Sequence, residues 1–227
     1  MERITELLSR LEQMYPEAHC ELVYATPVQL LVATILSAQC TDERVNQVTP
    51  ALFARFPTAV SLATADRMEL EGLIRPTGFY RQKARFIQEA CRVLVQEHGG
   101  DVPAKMGSLL ELTGVARKTA NVVLGEVYGL AEGIAVDTHV KRLSGRLGLT
   151  TAISPGKIEQ ELMAVIPPTA WIRFSHQLIY HGRHICLARR PRCGQCPLAD
   201  LCPAYQLGVF HLLHDTANDA AAAKTAD

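Results

Sequence analysis

Leu112-Thr113-Gly114-Val115-Ala116-Arg117-Lys118-Thr119-Ala120-Asn121 joins two apolar helical patterns through a tight turn on Gly114, and Val136-Asp137-Thr138-His139 follows it with an isolated carboxylate. Apolar spacing predicts a short helix over 103–112 and another over 118–128, so the stretch reads as a helical hairpin. Lys118 falls in the first turn of the second helix, where backbone N–H groups have no intrahelical partner. The positive end of the helix dipole suits that turn to an anion such as a phosphate, and it favours the free amine of Lys118. A free amine is a nucleophile. Alone, a Gly-x-x-x-Lys turn reads better as a plain hairpin with a solvated lysine, and the rest of the chain has to decide.

Outward from the hairpin the periodic stretches are helical. Ile4, Leu7, Leu8, Leu11 and Met14 recur at helical spacing and stop before Pro16, predicting an amphipathic first helix. Residues 28–38 are apolar on nearly every side and predict a helix buried in a helical domain, running into the polar cluster Ser37-Ala38-Gln39-Cys40-Thr41-Asp42. Thr41 or Asp42 either caps the next helix, which continues through Val45 and Val48 towards Pro50, or serves the site. A short helix is predicted from Asp66 through Ile74, ended by Pro76 and Gly78, and the loop Gly78-Phe79-Tyr80 then exposes two aromatics. Ala84, Ile87, Cys91, Leu94 and Val95 mark the following helix, with Cys91 in the core and His98-Gly99-Gly100 at its end. Further helices are predicted over 138–147, from a Ser154 cap with Pro155 at the first position through Ile166, and over 170–180. No stretch alternates with the period of a strand, so the fold class is all-α. The alanine-rich 208–227 reads as a flexible tail.

At 227 residues with 48% apolar side chains, the chain can bury one substantial core or two modest ones. The longest apolar run is too short for a bilayer and the N-terminus has no apolar secretory core, which predicts a cytoplasmic protein with no membrane partner. Net charge is zero, yet 162–199 contains no acid while Arg173, Arg183, Arg189, Arg190, Arg192, His176, His181 and His184 fall inside it, a candidate phosphate-binding face. Of seven cysteines, four crowd into Cys186-x6-Cys193-x2-Cys196-x5-Cys202, which suggests a metal site. Zinc sites commonly show two Cys-x2-Cys pairs, whereas the wider outer gaps here suit a [4Fe-4S] cluster, zinc being the alternative. Such a cluster would fix the loop Leu187-Ala188-Arg189-Arg190-Pro191-Arg192, so its arginines could meet phosphates with little ordering cost.

With hairpin, aspartate and cysteines in hand, the sequence resembles the endonuclease III family of DNA glycosylases, within the helix-hairpin-helix and Gly/Pro-Asp superfamily. The family's hairpin, usually Leu-Pro-Gly-Val-Gly-Arg-Lys-Thr-Ala, is matched by Leu112 to Ala120; its Val-Asp-Thr-His by 136–139; and its cysteine spacing in full. The resemblance implies a six-helix barrel domain over 20–131, a discontinuous iron-sulfur domain from 1–19 and 132–207, and an active site in the cleft between them. It implies a monomer that acts on duplex DNA holding an oxidised pyrimidine or an abasic site. Lys118 would attack C1′ of the flipped nucleotide, and Asp137, which also reads as a helix N-cap, would stabilise charge on the sugar. Asp137 is the only acid in 133–158, among Lys141, Arg142, Arg146 and Lys157.

By the same resemblance, Gln39 fills the gap left by the flipped base and Phe79 stands where the family commonly has a leucine wedge, so it could stack as well as fill. Gly114, Val115, Ala116, Arg117 and Thr119 would meet DNA at the hairpin, Arg189, Arg190 and Arg192 at the cysteine loop, and Ser37, Asp42 and His139 would line the pocket. The departures lie in the hairpin: Thr113 replaces a proline and Ala116 a glycine, which predicts a weaker grip on phosphate. Two rival readings are a non-catalytic, structure-specific DNA-binding protein and a small electron carrier. The second needs neither Lys118 nor the hairpin.

Overall fold

Caps and apolar spacing account for most helix boundaries in the computed structural model, which describes residues 2–208. Among these residues there are helices and turns and no strand. The α-helices are α1 (Glu2–Met14), α2 (Pro27–Leu36), α3 (Asp42–Arg55), α4 (Ala59–Ala63), α5 (Arg67–Ile74), α6 (Tyr80–Glu97), α7 (Met106–Leu110), α8 (Arg117–Tyr128), α9 (Thr138–Arg146), α10 (Pro155–Val165), α11 (Trp171–His184) and α12 (Pro203–Gln206). Past Gly208, the stretch expected to be a flexible tail lies outside the described residues.

Thr26, Thr41, Asp66 and Asp137 each accept a first-turn N–H with the side chain, capping α2, α3, α5 and α9. Of the two readings of Thr41, the cap holds: its hydroxyl accepts the Arg44 N–H at 3.2 Å. Three expectations are corrected and one helix is added. α3 does not end at Pro50 but runs to Arg55. An interior proline costs about 3 kcal/mol, yet burial of Val45, Val48 and Leu52 contributes about 1.5–3 kcal/mol each and outweighs it. α4, too short for a periodic signal, is closed by a reciprocal Thr58–Ser61 capping box. Tyr80 is half-buried against the core, so the aromatic exposed in that loop is Phe79 alone. Ser154 precedes α10 but makes no side-chain cap bond, leaving Pro155 at the first position to start the helix.

The chain divides into two compact units, Cys20–Glu132 and the segment up to His19 joined to Gly133 and beyond. In the first, α2 is the central helix: Val28 and every residue from Leu30 to Leu36 are buried, and α2 packs on α3, α6 and α8. An element with no wet face has to be surrounded, which is what its uninterrupted apolar run demands. α4 and α5 pack on α6, and α7 on α8. In the second unit α11 packs on α9 and α1, and α9 also meets α10 and α12 around Leu7, Leu11, Val140, Leu143, Leu162, Phe174 and Leu178.

Candidate active site and cysteine centre

Gly114 has φ of +82°, and a Cβ built there would lie 2.7 Å from the Phe86 ring, so conformation and space both require glycine. The turn closes through the Val115 N–H, which donates to Leu112 O at 3.0 Å, and the Val115 side chain joins the core. Ala116 stands at the N-cap of α8 with no side-chain acceptor, and the first intrahelical bond is Ala120 N–H to Ala116 O at 3.0 Å. The first turn of α8 thus presents main-chain donors that no cap satisfies. Gly114, Ala116 and Arg117 are exposed, Lys118 is half-buried, and Thr119 is buried. Of the hairpin residues expected at DNA, Val115 and Thr119 therefore turn their side chains inward, and Val115 uses its N–H within the turn.

Lys118 is within electrostatic reach of Cys20, whose thiol is pushed up to about 11 by burial, with Glu126 and Asp42 raising it and Lys118 lowering it. Asp42 and Lys118 thus share one electrostatic neighbourhood, and Asp42 sits half-buried in the first turn of α3. Ser37 ends α2, its hydroxyl donating to Thr34 O at 2.9 Å.

Gln39 and Phe79 share an uncommon backbone: φ is +53° at Gln39 and +47° at Phe79, both without being glycine. Phe79 is 63% exposed, and both residues line a cavity of about 180 Å³ with Lys83, Phe86, Gly114 and Thr119. Residues far apart in sequence, Gln39, Phe79 and the hairpin, therefore border one concavity. Sequence reading missed Lys83. Its place on the apolar side of α6, one turn after the Gly78-Phe79 loop, was the available signal.

In the other unit Asp137 caps α9, its Oδ1 accepting the Val140 N–H at 2.7 Å. His139, half-buried, has its Nδ1 3.2 Å from Arg142 Nη2, and Arg142 donates to Gly182 O at 3.1 Å and Cys186 O at 3.0 Å. A Cβ at Gly182 would meet His139 Nδ1 at 2.5 Å, so the bare face of α11 is what lets α9 come this close.

Cys186, Cys193, Cys196 and Cys202 line one cavity, walled by Leu143 and Leu198 among others. No three His, Cys, Asp or Glu side chains among the described residues converge as a set for a single metal ion. Four thiols line this one cavity, and the wide outer gaps in their spacing suit a cluster better than zinc. Burial pushes the Cys196 thiol up to about 11, so a thiolate there would have to be held by a cationic partner. Arg146 Nη1 lies 3.2 Å from Cys186 Sγ and donates to Leu187 O at 2.7 Å, and His181 Nε2 lies 3.5 Å from Cys196 Sγ. Arg189, Arg190 and Arg192 are exposed, Arg190 with φ of +53°. The wider basic face is corrected: Arg173 is occupied by Glu12 at 2.7 Å and Pro16 O, and His176 and His181 are buried.

Two family patterns match the chain. The HhH-GPD superfamily base excision DNA repair protein pattern covers residues 32–168, and the iron-sulfur binding domain of endonuclease III covers 186–202. The chain is 61% identical over 205 residues to endonuclease III of Synechocystis sp., covering 90% of this chain and 94% of that protein. It is 42% identical over 204 residues to endonuclease III of Escherichia coli (strain K12), covering 87% and 93%. Among solved structures, a non-covalent endonuclease III–DNA complex superposes with a TM-score of 0.86 at 43% identity, covering 92% of this chain and 97% of that one. A trapped endonuclease III–DNA covalent intermediate superposes with a TM-score of 0.86 at 43% identity, covering 92% and 98%.

Proposed function

Because the chain belongs to the endonuclease III family within the HhH-GPD superfamily of base excision DNA repair proteins, we propose that Lys118 and Asp137 carry its chemistry on oxidised pyrimidines and abasic sites in duplex DNA. It is a bifunctional DNA glycosylase and lyase. The observation that carries the residue assignment is Lys118, a half-buried amine in the uncapped first turn of α8, directly after the Gly114 turn.

The Lys118 Nζ lone pair forms a bond to C1′ as the glycosidic C–N bond breaks, and the base leaves with that electron pair and takes up a proton. Loss of the amine protons and opening of the sugar ring give a Schiff base. The imine acidifies C2′–H; when that proton leaves, its electrons form the C2′=C3′ bond and the C3′–O bond breaks, releasing the phosphate on the 3′ side. Asp137 offsets the positive charge that develops on the sugar. Its carboxylate is already held by the Val140 N–H, so little reorganisation accompanies the step. Gly114, Ala116 and the α8 N-terminus grip a phosphate, and Arg189, Arg190 and Arg192 take others. Gln39 and Phe79 fill the space that the extruded base leaves, and Ser37 and Asp42 border its approach. The four cysteines hold a [4Fe-4S] cluster, which supplies a fixed anchor for the arginine loop. The protein acts as a monomer in the cytoplasm.

Borohydride trapping on duplexes carrying thymine glycol or an abasic site tests the assignment. A covalent adduct that is lost in Lys118→Ala is expected. An adduct that persists in that variant overturns Lys118 as the nucleophile, and binding without any adduct would favour a non-catalytic DNA-binding protein.

A further inference from the structure

Lys83 is 4% exposed, and burial lowers its affinity for a proton. A buried ammonium is expensive unless it is well bonded. Its Nζ donates to Leu36 O at 2.7 Å and to Thr77 O at 2.8 Å. Leu36 is the last residue of α2 and Thr77 the last of the 3-10 turn Arg75–Thr77, so both acceptors are carbonyls of the kind that helix ends leave unsatisfied. A cation there also opposes the negative end of the α2 dipole. Gln39 follows Leu36 by three residues and Phe79 follows Thr77 by two, and the Lys83 N–H itself donates to Phe79 O at 3.0 Å. Gln39 and Phe79 are the non-glycine residues of these two loops with left-handed backbone, a strained conformation that persists only where neighbours over-determine it.

Resting on the proposed function above, we infer that Lys83 is a positioning residue: by joining the ends of α2 and of the Arg75–Thr77 turn, it fixes Gln39 and Phe79 in the backbone needed to occupy the gap in the duplex. It touches neither the sugar nor the base. Its loss slows the steps that need a duplex to be opened and leaves Schiff-base chemistry on an already extruded sugar intact.

The test compares single-turnover rates of the full chain, with its cluster in place, on thymine glycol in a duplex and on an abasic site in a single strand, where there is no partner strand to invade. In Lys83→Met, the duplex rate should fall about tenfold to a hundredfold, the scale of a misplaced positioning group, with the single-strand trapping rate within about threefold of wild type. Lys83→Arg, which keeps a charged donor, should recover much of the duplex rate. Equal losses on both substrates, or a duplex rate that follows melting temperature across the two variants, overturn the inference. In a background of Gln39→Ala and Phe79→Ala, Lys83→Met should add little further loss; a full additive loss also overturns it. Failure of the proposed function looks different: wild-type protein would then form no Lys118-dependent adduct on either substrate.

Discussion

The Asp137 carboxylate has a structural duty, Oδ1 accepting the Val140 N–H at 2.7 Å, as well as the proposed chemical one. The two duties separate by substitution. Asp137→Asn keeps an oxygen for the cap and removes the charge, so its melting temperature should stay near wild type while glycosylase turnover falls about a hundredfold or more, the scale of a lost electrostatic stabiliser. Asp137→Ala loses both, and the missing cap should lower stability by about 1 kcal/mol. Denaturant titration beside single-turnover kinetics reads the pair; equal activity of the Asn variant and wild type would end the catalytic assignment. The cap was legible in sequence because it spans only three residues. Lys83 was marked locally only by its place on the apolar side of α6: its carbonyl partner Leu36 is 47 residues away, so nothing local shows what its ammonium bonds to.

At the scale of the element, the hairpin works through what α8 lacks. Ala116 at its N-cap accepts nothing through its side chain, and the first turn keeps its donors for a ligand. Ala116→Asp should therefore stabilise the protein by about 0.5–2 kcal/mol as a cap while weakening duplex binding, because the carboxylate both takes the donors and repels phosphate. Thermal melts and fluorescence anisotropy with a duplex should move in opposite directions; tighter binding together with higher stability would remove the α8 terminus from the DNA-contacting set. Helix existence was readable throughout because period and caps are local. The limits of that reading are α4, with five residues and no periodic signal, and α3, where tertiary burial of Leu52 overrode the stop that Pro50 predicts.

For the whole molecule, zero net charge means that no general field draws the protein to DNA, so affinity has to come from local groups. Changing Arg189, Arg190 and Arg192 together to Gln should flatten the dependence of log K on log salt by up to about 0.9 for each phosphate that is no longer neutralised. An unchanged slope would show that these arginines do not meet phosphates. By itself the sequence determined the all-helical class, the hairpin and the cysteine spacing, because each rests on periodicity or on separations along the covalent chain, while the candidate pair Lys118 and Asp137 came from the family resemblance that these motifs carry. Only the tertiary structure decided the rest. It turned Val115 and Thr119 inward, tied Arg173 to Glu12, buried His176 and His181, and set Gln39, Phe79, Lys83 and Gly114 around one cavity. Those outcomes depend on which distant side chains compete for the same burial and the same hydrogen bonds, and only packing settles that competition.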